Sequence, residues 1–290
     1  MAERIVSLLP SATEVLWFLG LGERVVGVTY ECTVPPEAAR LPHVTDTIIP
    51  AGAEPAEIDR IIAAAVAGGR ELYRLDRELL AALDPDLIVS QDLCRVCALP
   101  SGDVAAAVAS LGCRAEVFGY DPMTLDGVLD AMDQLATATG AGEAARERVE
   151  ELRRRLDRLR VDAVDRADRP GVLLLEWTDP PYVAGHWIPD QVEAAGGRAL
   201  LGRPGQRSGS VSWDDVAATE AEVLLIAPCG YDAAGAAEQL AAVVARPELA
   251  HLPAVRSGRV HALDADAHVV RPGPRLIDGV EAMAALVGAG

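Results

Sequence analysis

The amino-acid sequence predicts an α/β protein of two lobes with mostly parallel sheets, joined by one long α-helix. Short apolar runs alternate with helical stretches in the first half of the chain, and the alternation restarts in the second half. Such alternation is typical of βαβ units in a parallel sheet. Between the two halves, residues 143–166 contain no Gly and no Pro and have helical periodicity.

The first half contains four short apolar runs that predict strands, at residues 5–9, 25–28, 87–89 and 115–118. Helical patterns alternate with them at residues 15–19, 55–67, 75–83, 103–111 and 125–139. Ser11 and Glu14 have the spacing of a capping box, which predicts that the first helix begins beside them.

The stretch 143–166 is predicted to be a rigid connection. Its apolar residues, among them Val149, Leu152 and Leu156, recur every three or four positions and therefore share one face. At ~1.5 Å per residue, such a helix would be roughly 35 Å long. A dimeric coiled coil is the alternative, but the apolar stripe lasts only about two heptads, fewer than a coiled coil normally has.

The second half repeats the pattern, with strands at 172–175, 223–226 and 260–263 and helices at 189–195, 233–245 and 274–287. We therefore expect an N-terminal lobe at 1–140, the connecting helix at 141–169 and a C-terminal lobe at 170–290. A weak repeat between residues 78–89 and 214–225 supports two lobes, although any αβ unit can resemble another by chance.

Composition and charge exclude several classes of function. The formal net charge is −18, which disfavours nucleic acids and anionic membranes as partners. No apolar run approaches the roughly 18 residues that indicate insertion into a membrane. The first residues lead directly into an apolar run without the pattern of a secretory signal. We therefore expect a cytoplasmic protein, or a periplasmic or extracellular one if the sequence lacks its start.

The segments that follow the strands are the place to look for a ligand, because ligands of parallel sheets bind beyond the carboxyl ends of the strands. Aromatic residues are only 4% of the chain, yet most of them lie in these segments. Facing aromatic loops suit a bulky, flat and partly apolar small ligand. The candidate ligand-binding residues are Tyr30, Glu31, Gln91, Asp92, Tyr120, Trp177, Tyr182, His186, Trp187, Tyr231 and Arg271.

The proline-rich loop at 177–189 is expected to present Tyr182, His186 and Trp187 at low entropic cost. His186 is either a hydrogen-bonded loop residue or a contact to a ligand or metal. Arg271 follows the last strand and could meet a carboxylate or phosphate. Residues 202–209 resemble an anion-binding loop only superficially, since no strand precedes them, and are expected to form a mobile turn.

Four of the five cysteines follow predicted strands: Cys32, Cys94, Cys97 and Cys229. The fifth, Cys113, is expected to be buried. The two-residue gap between Cys94 and Cys97 suits zinc, an iron–sulfur cluster or a redox pair. One hypothesis is a soft metal site for zinc, copper or iron, formed by these two with Cys32, Cys229 or His186. The alternative is that the cysteines are small residues that line a cleft.

The opening of the chain carries a resemblance to a known family. Residues 4–28, beginning Arg-Ile-Val-Ser-Leu-Leu-Pro-Ser-Ala-Thr-Glu, resemble the opening of the cobalamin- and iron-siderophore-binding proteins of ABC importers. Residues 78–89, with Asp-Pro-Asp-Leu-Ile-Val, resemble the same family, and the resemblance extends over nearly the whole chain. The cobalamin-binding branch is the most similar.

This resemblance implies two α/β lobes joined by one long helix, with the ligand held between them. It also implies that the ligand is a corrinoid. In such importers an acidic residue on each lobe docks onto arginines of the ABC permease. Glu78 matches that position in the first lobe, and Asp214 is the repeat-related candidate in the second.

Three hypotheses for function follow. The first is a non-catalytic binding protein for a corrinoid or a metal chelate, since the sequence contains no nucleophile elbow, P-loop, dinucleotide fingerprint or His-Glu-x-x-His motif. The second is a cytoplasmic metalloprotein or cofactor-processing protein that uses the cluster of Cys32, Cys94, Cys97 and Cys229. The third is a thiol oxidoreductase that uses Cys94 and Cys97.

Overall fold

The computed structural model describes residues 2–50, 52–68, 70–92, 101–111, 113–164 and 169–288. These residues form two compact units. The first unit comprises Met1–Asp121 and Asp130–Glu150, and the second comprises Pro122–Leu129 and Glu151–Gly290. Each unit contains a sheet with helices packed on it, as the predicted α/β class requires.

The sheet of the first unit consists of β1 (Ile5–Ser7), β2 (Val25–Thr29), β3 (His43–Thr47), β4 (Tyr73–Leu75), β5 (Leu87–Ser90) and β6 (Glu116–Gly119). Its spatial order is β4-β3-β2-β1-β5-β6. The pairing of β3 with β4 is antiparallel, and the other pairings are parallel. The central strands β1 and β5 are buried at every position, which explains why they are continuous apolar runs in the sequence.

The sheet of the second unit consists of β7 (Gly171–Thr178), β8 (Pro181–Val183), β9 (Arg198–Ala199), β10 (Gly209–Ser210), β11 (Val223–Ile226) and β12 (Val260–Ala262). Its order is β10-β8-β7-β11-β12, with β9 also paired to β7. β7, β11 and β12 run parallel, whereas β8 is antiparallel to β7 and to β10. The carboxyl ends of the three parallel strands therefore meet at one edge.

The helices up to residue 164 are α1 (Pro10–Phe18), α2 (Pro55–Ala67), α3 (Arg77–Leu83), α4 (Ser101–Leu111), α5 (Leu125–Ala138) and α6 (Glu143–Val164). Those that follow are α7 (Ile188–Ala194), α8 (Trp213–Ala217), α9 (Ala233–Val244), α10 (Pro253–Ser257), α11 (Ala265–His268) and α12 (Leu276–Gly288). Among the described residues, none of these helices has both the length and the apolar character needed to cross a bilayer.

Most predicted elements are present, and two of them, α2 and β11, begin and end at the predicted residues. The predicted capping box is wrong, because α1 begins at Pro10 and places both Ser11 and Glu14 inside the helix, where they are buried. The sequence patterns did not predict β3, β4, β8, β9 or β10. These strands are short or contain few apolar residues.

The predicted long helix is present as α6, which has 22 residues. Its apolar face is buried at Val149, Leu152 and Leu156, as the periodicity indicates. The two compact units divide this helix between Glu150 and Glu151. The predicted lobe boundaries at residues 140 and 169 stay predictions.

The two halves of the predicted repeat occupy equivalent places in their sheets. α3 precedes β5, which pairs in parallel with β1, the first strand of its unit. α8 precedes β11, which pairs in parallel with β7, the first strand of its unit. The shared topology agrees with a duplication, and the duplication itself stays a prediction.

Candidate functional site

The carboxyl-terminal edge of the second sheet brings three predicted ligand residues together. Tyr182 on β8 is the cross-strand partner of Trp177 on β7. The ring of Tyr231 meets the ring of Trp177 edge-on, with centroids 6.2 Å apart. All three side chains are half-buried, so part of each remains accessible to a ligand. We name Trp177, Tyr182 and Tyr231 the aromatic edge.

The aromatic edge forms because the chain continues alongside β7 after β11 has ended. The amide of Ala227 donates to Leu175 O at 2.9 Å, and that of Cys229 donates to Glu176 O at 3.1 Å. Gly230 then turns the chain with a φ of +82°, a conformation that favours glycine. The turn delivers Tyr231 to the ring of Trp177, whose Nε1 donates to Asp179 O at 3.1 Å.

Arg271, which the sequence suggests could meet an anionic group of the ligand, forms an ion pair with Asp266. Its Nη2 lies 2.5 Å from Asp266 Oδ2. The other oxygen of this carboxylate, Oδ1, accepts a hydrogen bond from the amide of Gly230 at 3.1 Å. Asp266 was not among the residues predicted from the sequence. The rule of strand ends could have found it, because it lies four residues after the carboxyl end of β12.

The proline-rich loop places His186 against the turn at 202–209. Its backbone is left-handed, with φ +54°, its amide donates to Gln206 O at 2.6 Å, and its carbonyl accepts from the Gly205 amide at 3.0 Å. Its Nδ1 lies 3.3 Å from Ser208 Oγ. Burial lowers the pKa of the imidazole, and the charge of Arg207 lowers it further, so His186 is neutral at pH 7. The turn is thus hydrogen-bonded to this loop.

Trp187, predicted to grip the ligand, lies in the core of the second unit. Its side chain is only 4% exposed, and its Nε1 donates to Val269 O at 2.8 Å. A buried indole with a satisfied N–H has the environment of a packing residue. Tyr120 of the first unit is likewise fully buried, and burial raises the pKa of its phenol well above the usual range.

At the carboxyl-terminal edge of the first sheet, Tyr30 and Glu31 follow β2 and are half-buried. The ring of Tyr30 lies 6.4 Å from that of Tyr73. Burial raises the pKa of this phenol well above the usual range, and the charge of Glu31 raises it further. Tyr30 is therefore protonated at neutral pH.

Gln91 and Asp92 follow β5 at the same edge. Gln91 is buried, whereas Asp92 is exposed. The amide of Asp92 donates to Asp121 Oδ1 at 2.5 Å, which joins the segments that follow β5 and β6. Asp92 is therefore the more accessible of these two predicted contacts.

The predicted metal site lies partly outside the described residues, which do not include Cys94 and Cys97. Cys32 is fully buried in the first unit, with its Sγ 2.9 Å from Thr13 Oγ1. Cys229 is exposed in the second unit. In the part of the chain that the structure describes, no three His, Cys, Asp or Glu side chains are grouped so as to hold a metal ion.

The two predicted docking carboxylates occupy the same position in two helices. Glu78 is the second residue of α3, whose N-cap is Asp76, and Asp214 is the second residue of α8, whose N-cap is Ser212. Both side chains are exposed. The helix dipole favours negative charge at these positions.

Comparison with known proteins identifies the family. The family model described as periplasmic binding protein matches residues 5–267. A vitamin B12-binding protein of Vibrio cholerae is 26% identical over 284 residues, which cover 97% of this chain and 87% of that protein. A vitamin B12-binding protein of Yersinia pestis is 27% identical over 193 residues, or 66% of this chain and 57% of that protein.

Solved structures have the same fold. The periplasmic vitamin B12 binding protein BtuF of Vibrio cholerae superposes with a TM-score of 0.71 at 24% identity, covering 99% of this chain and 97% of that chain. The periplasmic heme-binding protein RhuT from Roseiflexus sp. RS-1 superposes with a TM-score of 0.67 at 25% identity, covering 99% and 98%.

These comparisons correct the expected location. The matching family is one of periplasmic proteins, as are both solved structures, so the expectation of a cytoplasmic protein is wrong. That expectation rested on the first residues, which say nothing of what precedes them. The cytoplasmic metalloprotein hypothesis finds no support either. Since the family model spans most of the chain, this protein belongs to the periplasmic binding protein family, and it is a ligand-binding protein, not an enzyme.

Proposed function

We propose that this protein binds a corrinoid and that the aromatic edge of the second unit contacts it. The observation that carries the ligand class is the 26% identity to a vitamin B12-binding protein along 97% of the chain. The aromatic edge supplies suitable chemistry, because a corrinoid presents a broad, largely apolar macrocycle to half-buried rings.

The proposed contacts are narrower than the set expected from the sequence. Trp177, Tyr182 and Tyr231 are retained because each is half-buried and partly accessible. Tyr30, Glu31 and Asp92, at the carboxyl-terminal edge of the first sheet, are retained as further contacts. Trp187 and Tyr120 are left out because they are buried.

Titration with cyanocobalamin tests this proposal. We expect a change in the visible absorbance of the corrinoid and saturable binding with a Kd of about 1 μM or tighter. Trp177→Ala and Tyr231→Ala should each weaken binding by about tenfold, since each removes an aromatic contact. Trp213→Phe is the control, because Trp213 lies on α8, where its ring packs against the guanidinium of Arg246, and not at the aromatic edge. Absence of saturable binding would overturn the proposal.

A haem is the second candidate ligand. The heme-binding protein RhuT is 25% identical over nearly the whole chain. Titration with hemin distinguishes the two candidates. If hemin shows a shifted Soret band and cyanocobalamin shows no binding, the ligand is a haem and not a corrinoid. The same Trp177 and Tyr231 variants would then show whether the aromatic edge contacts the porphyrin.

We also propose that Glu78 and Asp214 dock this protein onto an ABC permease. Both carboxylates are exposed in the first turn of a helix, at equivalent places in two similarly built sheets. A carboxylate held in this way can form a charge-assisted pair with an arginine of the partner.

A further inference from the structure

We propose that Asp266, fixed by Arg271, is a positioning residue that holds Tyr231 against Trp177. This proposal rests on the proposed function only for its effect on ligand affinity. The claim that Asp266 holds Tyr231 in place concerns the ligand-free protein and does not depend on which ligand binds. Neither residue contacts the ligand in this proposal, and both act through the turn that carries Tyr231.

The turn that carries Tyr231 is held from two sides. Towards β7, the amide of Cys229 donates to Glu176 O at 3.1 Å. Towards α11, the amide of Gly230 donates to Asp266 Oδ1 at 3.1 Å, and the carbonyl of Tyr231 accepts from the amide of Ala265 at 3.2 Å. The segment at Ala265 and Asp266 therefore holds the peptide group that precedes Gly230 and the one that follows Tyr231.

The side-chain bond from Asp266 is stronger than an ordinary hydrogen bond because its acceptor is ionised. Arg271 orients this carboxylate through Oδ2 and leaves Oδ1 directed at Gly230. The pair is partly shielded from water, with 28% of the Asp266 side chain and 17% of the Arg271 side chain exposed. Its Coulomb energy is therefore less screened than that of a surface pair.

Several contacts hold the backbone around Asp266 in place. Ala265, which precedes Asp266, is fully buried, and Asp264 caps α11 by accepting a bond from the Ala267 amide at 2.8 Å. The backbone carbonyl of Asp266 accepts a hydrogen bond from Arg275 at 3.4 Å. Asp266 is thus held at its backbone and at its carboxylate, as a positioning residue should be.

A graded set of variants tests the proposal. Asp266→Ala removes both the bond to Gly230 and the ion pair. Asp266→Asn keeps an oxygen that can accept from Gly230 but loses the charge, and Arg271→Gln leaves the carboxylate without its ion pair. Asp215→Ala is the control, because it removes a hydrogen-bonded carboxylate of the second unit, part of the capping box of α8, without touching the turn at Tyr231.

Two measurements in the ligand-free protein report on the turn. Hydrogen exchange of the Gly230 amide should accelerate most in Asp266→Ala and less in Asp266→Asn and Arg271→Gln. The contribution of Trp177 to the near-ultraviolet circular dichroism, identified as the part of the spectrum that is lost in Trp177→Phe, should decrease. The decrease should be largest in Asp266→Ala and smaller in Asp266→Asn and Arg271→Gln. Asp215→Ala should lower the melting temperature and leave both signals unchanged.

Affinity for cyanocobalamin gives the functional readout. We expect Asp266→Ala to weaken binding by about tenfold and the other two variants to weaken it less, because a mobile ring must be ordered on binding. If Asp266→Ala does not fold, Asp266→Asn and Arg271→Gln carry the test. Unchanged exchange and dichroism in folded Asp266 variants would overturn the positioning role. Altered signals in a protein that binds no corrinoid would overturn only the proposed ligand.

Discussion

Residues of one type have different roles in this protein, as Trp177 and Trp187 show. Both were expected from the sequence to contact the ligand. Trp177 is half-buried beside Tyr231, whereas Trp187 is buried and donates to Val269 O, 82 positions away. The difference depends on a long-range contact, and a local sequence pattern carries no information about such a contact.

Gly279 allows α12 to approach α11 closely. A Cβ atom here would collide with the carbonyl oxygen of His268, which also accepts a hydrogen bond from Gln191 Nε2 at 2.9 Å. We predict that Gly279→Ala lowers the free energy of unfolding by about 2 kcal/mol, because backbone cannot yield as a flexible side chain can. Urea denaturation measures the change. Gly209→Ala is the control, since its Cβ would meet no atom within 4 Å, and equal stability of both variants would contradict the prediction.

His186 should make stability depend on pH. Its pKa in the folded protein lies below the ordinary value of 6.5 because burial, aided by Arg207, disfavours the imidazolium. As the pH falls below about 6.5, the unfolded chain takes up a proton that the folded chain does not, so stability is lost until the pH reaches the folded pKa.

We therefore predict that lowering the pH from 7 to 5 reduces the free energy of unfolding of the wild-type protein more than that of His186→Gln. Thermal denaturation at several pH values measures it. His261→Gln is a useful comparison, because burial also lowers the pKa of His261. A difference that does not change with pH would show that His186 titrates normally.

At the scale of elements, periodicity and propensity were sufficient for the long helix and the buried strands. α6 has no Gly or Pro, and its apolar stripe predicts which face is buried. The edge strands β9 and β10 could not be predicted in this way, because two residues each are too few for a pattern. Their existence depends on partners supplied by β7 and β8.

Arg155 ties α6 to α12 within the second unit. Its Nη2 lies 2.7 Å from Asp278 Oδ1 and 2.8 Å from Glu281 Oε1, and 26% of its side chain is exposed. We predict that Arg155→Ala lowers the free energy of unfolding by about 1 kcal/mol, which is the upper end of the range for exposed ion pairs. The loss should be smaller at high salt, because salt screens the attraction between the charges.

The neighbouring Arg154 is the matched control for this prediction. It is 53% exposed and pairs with Glu151 on its own helix, so Arg154→Ala should cost less. Urea denaturation of both variants at low and high salt measures the two losses of free energy of unfolding. A larger loss for Arg154→Ala, or no salt dependence for Arg155→Ala, would contradict the assigned pairing.

At the scale of the whole molecule, the docking proposal predicts a separation of transport from binding. Glu78→Arg and Asp214→Arg should each lower uptake of cobalamin through the cognate permease by about tenfold, because reversed charge repels the partner's arginines. The Kd for cyanocobalamin should not change, since neither residue belongs to the aromatic edge. Uptake in proteoliposomes and titration in solution measure the two quantities.

Glu71→Arg and Glu220→Arg make the same change of charge at exposed positions outside the first turns of α3 and α8. They are expected to leave uptake unaltered. If all four variants reduce uptake equally, net charge rather than docking through Glu78 and Asp214 controls transport.

Sequence by itself determined the α/β class, the long helix and the family, because these depend on local periodicity and on an opening motif that can be read along the chain. It also pointed to the strand ends where Trp177, Tyr182 and Tyr231 lie. Only the tertiary structure decided that Tyr182 and Tyr231 both lie beside Trp177, that Trp187 belongs to the core and that Arg271 pairs with Asp266. Burial and pairing are properties of contacts between distant segments, and those contacts exist only after the chain has folded.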